Sequence, residues 1–331
     1  MKRREFITLR GGAVAAWPLA AWAQQDGRVR RVGVLMPFPE ADPQIQARLA
    51  AFRQGLERLG WSEGRNVRID YRFAPASGAL DQAQKLAKEL IALQPDVILG
   101  DSTAMAAALQ RESRAIPIVF VAVSDPIGSG FIASLARPGG NLTGTLNYEA
   151  TIVGKWLQML KEIAPRLARV ALVGNPKTTS FDYFLRAAEA AAQSLAIELV
   201  PSRVETAADI ERAIESFARV PNGGLLLLPD TTTAVHTDLI IALAARHRLP
   251  AVYADRYWVT AGGLMSYSTD RVDLVRQAAA YVDRILRGDK PADLPAQAPV
   301  KYETVINLKT AKALGLIVPP GLLVAADEVI E

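Results

Sequence analysis

Short apolar runs and amphipathic stretches alternate along almost the whole chain. Val32-Gly33-Val34-Leu35-Met36 is a run closed by Pro37, the pattern of a parallel strand buried on both faces. Ile45, Leu49, Phe52, Leu56 and Leu59 then recur at helical spacing, with Gly60 at the exit. Residues 67–73 alternate like a second strand, and Leu80, Ala83, Leu86, Ala87 and Leu90 mark a second helix. Val97-Ile98-Leu99 and Ile118-Val119-Phe120-Val121 are two further strands, with a helix from about Thr103 between them.

The same unit restarts after the Gly-rich passage Arg137-Pro138-Gly139-Gly140-Asn141. Trp156, Met159, Leu160 and Ile163 share one helical face, residues 170–173 form a strand, and Phe181, Phe184, Ala188 and Ala191 belong to a helix. The series continues through strand 197–200, helix 210–217, strand 225–228, helix 239–245, strand 251–253 and strand 264–267. Repeated strand–helix–strand units predict parallel sheets covered by helices on both faces. Two successive sets predict an α/β protein of two doubly wound parallel-sheet lobes.

Composition agrees with a large globular chain: 331 residues, 50% hydrophobic and 22% charged. That length suits two domains with sizeable cores. There is no cysteine, which excludes disulfides, thiolate metal sites and cysteine nucleophiles together. The net charge of +4 is concentrated at the start, where the first 23 residues hold four basic side chains and one acidic. The remaining 34 basic and 33 acidic residues nearly cancel, so charge predicts no nucleic-acid or anionic-membrane partner.

That opening segment reads as an address. Lys2, Arg3 and Arg4 precede a short apolar run to Ala20, and Ala21-Trp22-Ala23 ends it like an A-x-A cleavage site. Arg3-Arg4-x-Phe6-Ile7 resembles a twin-arginine (Tat) signal. Residues 1–23 are thus expected to be an export signal, Tat or Sec, cleaved after Ala23. Location in the periplasm follows, and no later stretch reaches the ~18 uninterrupted apolar residues of a membrane span.

In open parallel sheets ligands bind beyond the carboxyl ends of the strands. Those ends carry Asp101-Ser102-Thr103 and Val123-Ser124-Asp125 in the first set. In the second they carry Gly174-Asn175-Pro176, Pro229-Asp230-Thr231 and Tyr253-Ala254-Asp255, with Ser268 and Thr269 after the last strand. Ser102 and Thr103 open a helix, where free backbone N–H groups and hydroxyls form a seat for a carboxylate; ordinary N-capping is the competing reading. Asp125, Asp230 and Asp255 each suit a ligand ammonium, and each equally suits a cap or turn. Tyr253, Tyr257 and Tyr267 suit an apolar ligand body or simple core packing.

Catalytic patterns are scarce. Gly100-Asp101-Ser102 resembles the nucleophile motif of GDSL-type hydrolases, but the D-x-x-H partner is absent, since Thr233 and Ala244 stand three before His236 and His247. No G-x-S-x-G elbow, G-x-G-x-x-G or P-loop occurs. The two histidines are eleven residues apart on one predicted helix, about 16 Å along its axis, too far to share a metal. An enzyme stays open at this point, but nothing in these patterns nominates one, nor a metal or cofactor.

Three segments resemble a known family. They are Ser124-Asp125-Pro126-Ile127-Gly128-Ser129-Gly130-Phe131 running on to Arg137-Pro138-Gly139-Gly140-Asn141-Leu142-Thr143-Gly144, then Gly262-Gly263-Leu264-Met265-Ser266-Tyr267, then Val305-Ile306-Asn307-Leu308 with Val318-Pro319-Pro320 and Ala326-Asp327-Glu328-Val329-Ile330. Together they are similar to ABC-transporter substrate-binding proteins of the tryptophan/tyrosine-labelled type. The resemblance implies a type I periplasmic-binding-protein fold whose hinge the chain crosses several times. By that analogy residues 28–146 with 264–300 form the first lobe, 147–263 the second, and 301–331 pack back across the lobes. It also implies a small amino-acid-like or carboxylate solute held in the cleft, a monomer, and a membrane permease as partner. The cleft positions expected are Ser102, Thr103, Asp125, Asn147, Asn175, Asp230, Thr231, Tyr253, Asp255 and Tyr267. Two other readings stay open: an exported two-lobe hydrolase using Ser102, and a periplasmic ligand-sensing receptor.

Overall fold

The computed structural model describes residues 28–75 and 80–331, so the expected export signal lies outside the described residues. The first lobe is built on strands β1 (Arg30–Met36), β2 (Val67–Phe73), β3 (Val97–Asp101), β4 (Ile118–Val123) and β5 (Leu142–Leu146). They form one parallel sheet in the order β2-β1-β3-β4-β5. Period-two alternation sends Val32, Val34 and Met36 to one face and Leu35 to the other. Helix α1 (Pro43–Arg58) covers the first face; α2 (Leu80–Ala92) and α3 (Thr103–Glu112) cover the second. Asp42 caps α1 by accepting from the Gln44 and Ile45 amides, and Pro43 stands at its first position, where no N–H is required.

After β5 the chain crosses into the second lobe. Helix α4 (Ile152–Ile163) leads to β6 (Arg169–Gly174), α5 (Phe181–Ser194), β7 (Glu198–Arg203), α6 (Ala207–Phe217) and β8 (Gly223–Leu227). Then come α7 (Thr231–Ala234), α8 (Thr237–Arg246), β9 (Ala251–Tyr253), α9 (Arg256–Thr260) and β10 (Met265–Thr269). Val170, Leu172 and Leu226 face α4 and α5, while Ala171, Val173, Leu225 and Leu227 face α6 and α8. Each lobe therefore has two separate apolar layers, one on each side of its sheet.

The chain crosses again after β10. Helix α10 (Arg271–Leu286) lies against α1 and the first sheet, sharing its core through Leu274, Val275, Ala278 and Val282. Gly55 permits the approach: a Cβ there would sit 2.7 Å from the Ala279 Cβ. A third crossing follows the short turn Pro291–Asp293, where Gln297 is held by the Gly144 carbonyl and holds the Leu146 amide. The chain then closes with β11 (Tyr302–Asn307), α11 (Leu308–Ala313), α12 (Pro320–Ala325) and β12 (Glu328–Ile330).

These last elements correct the expected lobe boundaries. Strand β10 belongs to the second sheet, whose order is β12-β11-β10-β9-β8-β6-β7, so residues 264–269 are not part of the first lobe. Residues 302–330 do not lie across the lobes; β11 pairs antiparallel to β10, and β12 pairs parallel to β11, at the edge of the second sheet. An apolar run states that a strand is buried, not which sheet receives it. The pattern also left α10 unmarked, although its stripe from Leu274 to Leu286 is regular. No helix among the described residues is long and apolar enough to cross a membrane.

Candidate functional site

The carboxyl ends of both sheets face each other across the crossings. Between them is a narrow cavity of about 30 Å³ lined from the first lobe by Phe38, Arg48, Asp101, Ser102, Thr103, Ser124 and Asn147. The second lobe supplies Thr178, Asp230, Thr231, Asp255 and Tyr257, and Arg271 enters from the start of α10. The lobes touch at its edge, where the Ser180 hydroxyl donates to the Ser124 carbonyl at 2.9 Å.

Asp101 ends β3 and is 1% exposed. Its Oδ2 accepts from Arg48 Nη1 at 3.0 Å, while its Oδ1 has no partner. A buried carboxylate oxygen left without a donor is costly, and such groups mark places where a ligand or water completes the bonding. Ser102 follows with φ +99° and ψ 161°, a region rarely used outside glycine, and its hydroxyl accepts weakly from the Met105 amide at the start of α3. Ala122 and Asp125 also have positive φ, so backbone strain gathers at this end of the first sheet. Thr103 Oγ1 accepts from the Ser124 amide at 3.1 Å, which ties α3 to the end of β4.

The second lobe answers with a buried polar cluster. Asp230 caps α7: its Oδ1 accepts from the Thr178 hydroxyl and the Thr232 amide, and its Oδ2 from the amides of Asn175 and Thr233. Burial raises its pKa above the ordinary 3.8 while these bonds pull against that rise. Asp255 Oδ1 and Oδ2 take Arg271 Nε and Nη2 at 2.9 and 3.3 Å. Burial opposes the Arg271 charge, but the Asp255 carboxylate with its hydrogen bonds, Tyr148 and Asp101 together outweigh it, and the guanidinium pKa ends above its usual value. Burial and the same carboxylate hold the Tyr257 hydroxyl well above its ordinary range. Behind Arg48, Asp255, Tyr257 and Arg271, a second crevice of about 280 Å³ extends between the lobes toward Pro43 and Glu303.

The three crossings are knitted together beside this cavity. Thr269 donates its hydroxyl to Asn147 Oδ1 at 2.9 Å, and the Tyr148 hydroxyl donates to the Ala254 carbonyl. Tyr302 stacks on Tyr148 and on Tyr267, with centroids 6.3 and 5.2 Å apart.

Six of the ten expected positions line the cavity: Ser102, Thr103, Asn147, Asp230, Thr231 and Asp255. Four do not. Asp125 holds a turn instead, its Oδ1 accepting from the Gly128 amide at 2.8 Å. Asn175 sits beneath the cavity and donates to Thr232 Oγ1. Tyr253 is buried in the core, stacked on Trp258, and Tyr267 belongs to the aromatic stack of the crossings. Asp230 lines the cavity, but all four donors on its carboxylate come from its own lobe, so the capping reading describes its bonds. Arg48, Asp101, Thr178 and Arg271 were missed as lining residues. Arg48 is far from any strand end in sequence and only helix placement brings it in, whereas Arg271 follows the end of β10 by two residues, just past the positions read there. Asp101 carried a signal, standing directly before Ser102. Neither histidine lines the cavity: they flank α8 as its two capping residues.

Residues 32–330 match the family model described as ABC transporter substrate binding protein. A tyrosine-binding protein of Clostridioides difficile (strain R20291) is 26% identical over 275 residues, which is 83% of this chain and 78% of that protein. Among solved structures, a conserved domain protein from Vibrio cholerae is 29% identical with a TM-score of 0.84, covering 91% of this chain and all of that one. The ABC domain in complex with L-Trp from Streptococcus pneumonia is 23% identical with a TM-score of 0.83, covering 91% of this chain and 99% of its own. The two lobes and their strand orders are thus the type I periplasmic-binding-protein fold.

Proposed function

This chain belongs to the family of ABC transporter substrate-binding proteins, and from that premise we propose that it captures an α-amino acid and delivers it to an importing permease. One observation carries the choice of solute. The unpartnered Oδ1 of Asp101 and the two hydroxyl residues that open α3, Ser102 and Thr103, are adjacent in sequence, and all three residues line the same cavity. An α-amino acid bears its ammonium and carboxylate on a single carbon, so it needs an anionic acceptor and a set of donors side by side. Asp101 would take the ammonium, and Ser102, Thr103 and the first N–H groups of α3 the carboxylate. Phe38 and Tyr257, from opposite lobes, border the remaining space and favour an apolar or aromatic side chain.

A cavity of about 30 Å³ has room for little more than one or two waters. Solute entry therefore requires the lobes to part at Ser180–Ser124 and the wall of Arg48 and Tyr257 to yield toward the crevice behind it. A solute touching both lobes then stabilises the closed arrangement, the form a permease can distinguish. The basic, apolar and A-x-A parts of residues 1–23 support export, and we place the mature protein outside the cytoplasmic membrane. A hydrolase using Ser102 lacks support, because neither histidine lines the cavity.

The test is a thermal-melt screen of residues 24–331 against amino acids, small carboxylates and sugars. Solute at about 100 times its Kd adds about 2.7 kcal/mol, several degrees in Tm. A shift with L-tyrosine, L-tryptophan or another amino acid supports the proposal. A shift confined to sugars or to simple carboxylates overturns the amino-acid reading.

A further inference from the structure

A cavity larger than either opening between the lobes lies away from them, among the described residues. It measures about 710 Å³ and lies at the opposite end of the second sheet, where β6, β8 and β9 begin. Three connections form its walls, Ile163–Leu167, Ala218–Gly223 and His247–Pro250, and Gly315–Pro319 of the C-terminal segment closes one side. Each wall carries a proline: Pro165, Pro221, Pro250 and Pro319. Fixed proline dihedrals make these walls stiff, so the cavity is built in advance of any occupant. Its size lies within the ~300–1,000 Å³ usual for small-molecule sites.

Chemistry narrows the occupant. Ile163, Leu167, Leu249 and Leu316 give an apolar lining, and two of the protein's exposed large hydrophobic side chains, Val220 at 47% and Ile317 at 88%, stand on the same rim. His247, which lines the cavity, has a buried Nε2 without a hydrogen-bond partner. The helices α4, α6 and α8 all end here, and their negative dipole ends oppose an anion. Arg166 and Arg248, also in the lining and in no ion pair among the described residues, oppose a cation, while Glu162 in the same lining adds to the field against an anion. The two fields offset one another and leave a site suited to an uncharged guest.

We propose that this cavity is a second ligand site, separate from the cleft, which takes an uncharged apolar molecule carrying one hydrogen-bonding group that meets His247 Nε2. The reading is independent of the solute assigned to the cleft.

N-phenyl-1-naphthylamine, uncharged and with a single N–H, is the probe, and its fluorescence is titrated with the full chain. Saturable enhancement is expected, undisturbed by L-tryptophan or L-tyrosine and retained in Asp101→Asn. The double substitution Val220→Asp with Ile317→Asp, both at exposed positions, should weaken it by about tenfold or more. The anionic 1-anilinonaphthalene-8-sulfonate should bind at least about tenfold less tightly than the neutral probe. No saturable binding, displacement by amino acids, survival of the double substitution, or equal affinity for the anion each overturns the proposal. So does a dimer in sedimentation that Ile317→Asp dissociates, since a second copy of the chain would then be the occupant.

Discussion

Arg271, the first residue of the helix that returns to the first lobe, grips Asp255 of the second lobe through two charge-assisted hydrogen bonds of 2.9 and 3.3 Å. The pair is mostly buried and stands at the wall shared by the cleft and the crevice behind it. It therefore ties the second crossing to the strand end of β9. Removing one partner leaves an uncompensated buried charge. Arg271→Met should lower stability by about 3–5 kcal/mol in urea unfolding. Adding Asp255→Leu should recover a large part of that loss, and a purely additive double substitution would show that the pair is not coupled.

Asp101 is the residue on which the solute assignment turns. Asp101→Asn keeps the shape and replaces the unpartnered Oδ1 with an uncharged group. Amino-acid affinity should fall by about 1.5–3 kcal/mol, the worth of a hydrogen bond to a charged group, as read by calorimetry. Unchanged affinity would remove Asp101 from the ammonium site.

Asp230 predicts a pH dependence. Its folded pKa is raised above 3.8 by burial, so the folded state holds its proton more tightly than the unfolded chain. The stability from that proton is present below 3.8 and is lost as pH rises through the folded value. Asp230→Asn lacks this slope and loses one of the two acceptor oxygens that take the Asn175, Thr178, Thr232 and Thr233 donors, a cost of about 1 kcal/mol. The advantage of Asp230 over the variant should therefore be largest in acid and shrink toward neutral pH. Parallel stability curves from pH 4 to pH 7 would contradict the shift.

Ser102 adopts φ +99° and ψ 161°, where a side chain is strained. Ser102→Gly releases about 1–3 kcal/mol of that strain, against an entropic cost of about 1 kcal/mol or less. A net gain of about 1 kcal/mol is expected in the urea midpoint, together with weaker amino-acid binding. Ser102→Ala should show the weaker binding without the gain. A destabilised glycine variant would mean that the strain is not stored here.

Much of the fold was legible in the chain because it depends on local periodicity. The run 32–36 and the stripe Ile45–Leu59 need only their own spacing to declare a strand and a helix, and both stand in the structure. The strand-end rule likewise reached Ser102, Thr103, Asp230, Thr231 and Asp255 through position alone, while Asn147 came from the family resemblance; all six line the cavity.

What sequence order left open was decided by long-range packing. Residues 264–269 have the same apolar character whichever sheet receives them; pairing with β9 and β11 placed them in the second lobe. Tyr253 and Asp255 are two residues apart, yet one packs in the core beside Trp258 and the other meets Arg271, because β9 ends at Tyr253 and Asp255 already stands at the cap of α9, where strand alternation no longer applies. Arg48 and Arg271 enter the cleft from helices, and no local pattern records where a helix start will dock. The sequence determined the elements, since a residue's neighbours along the chain set dihedral preference and amphipathic faces. Only the tertiary structure decided which charges meet, since Arg48 and Asp101 stand 53 residues apart and come together through the docking of a helix on a sheet, which neither local pattern records.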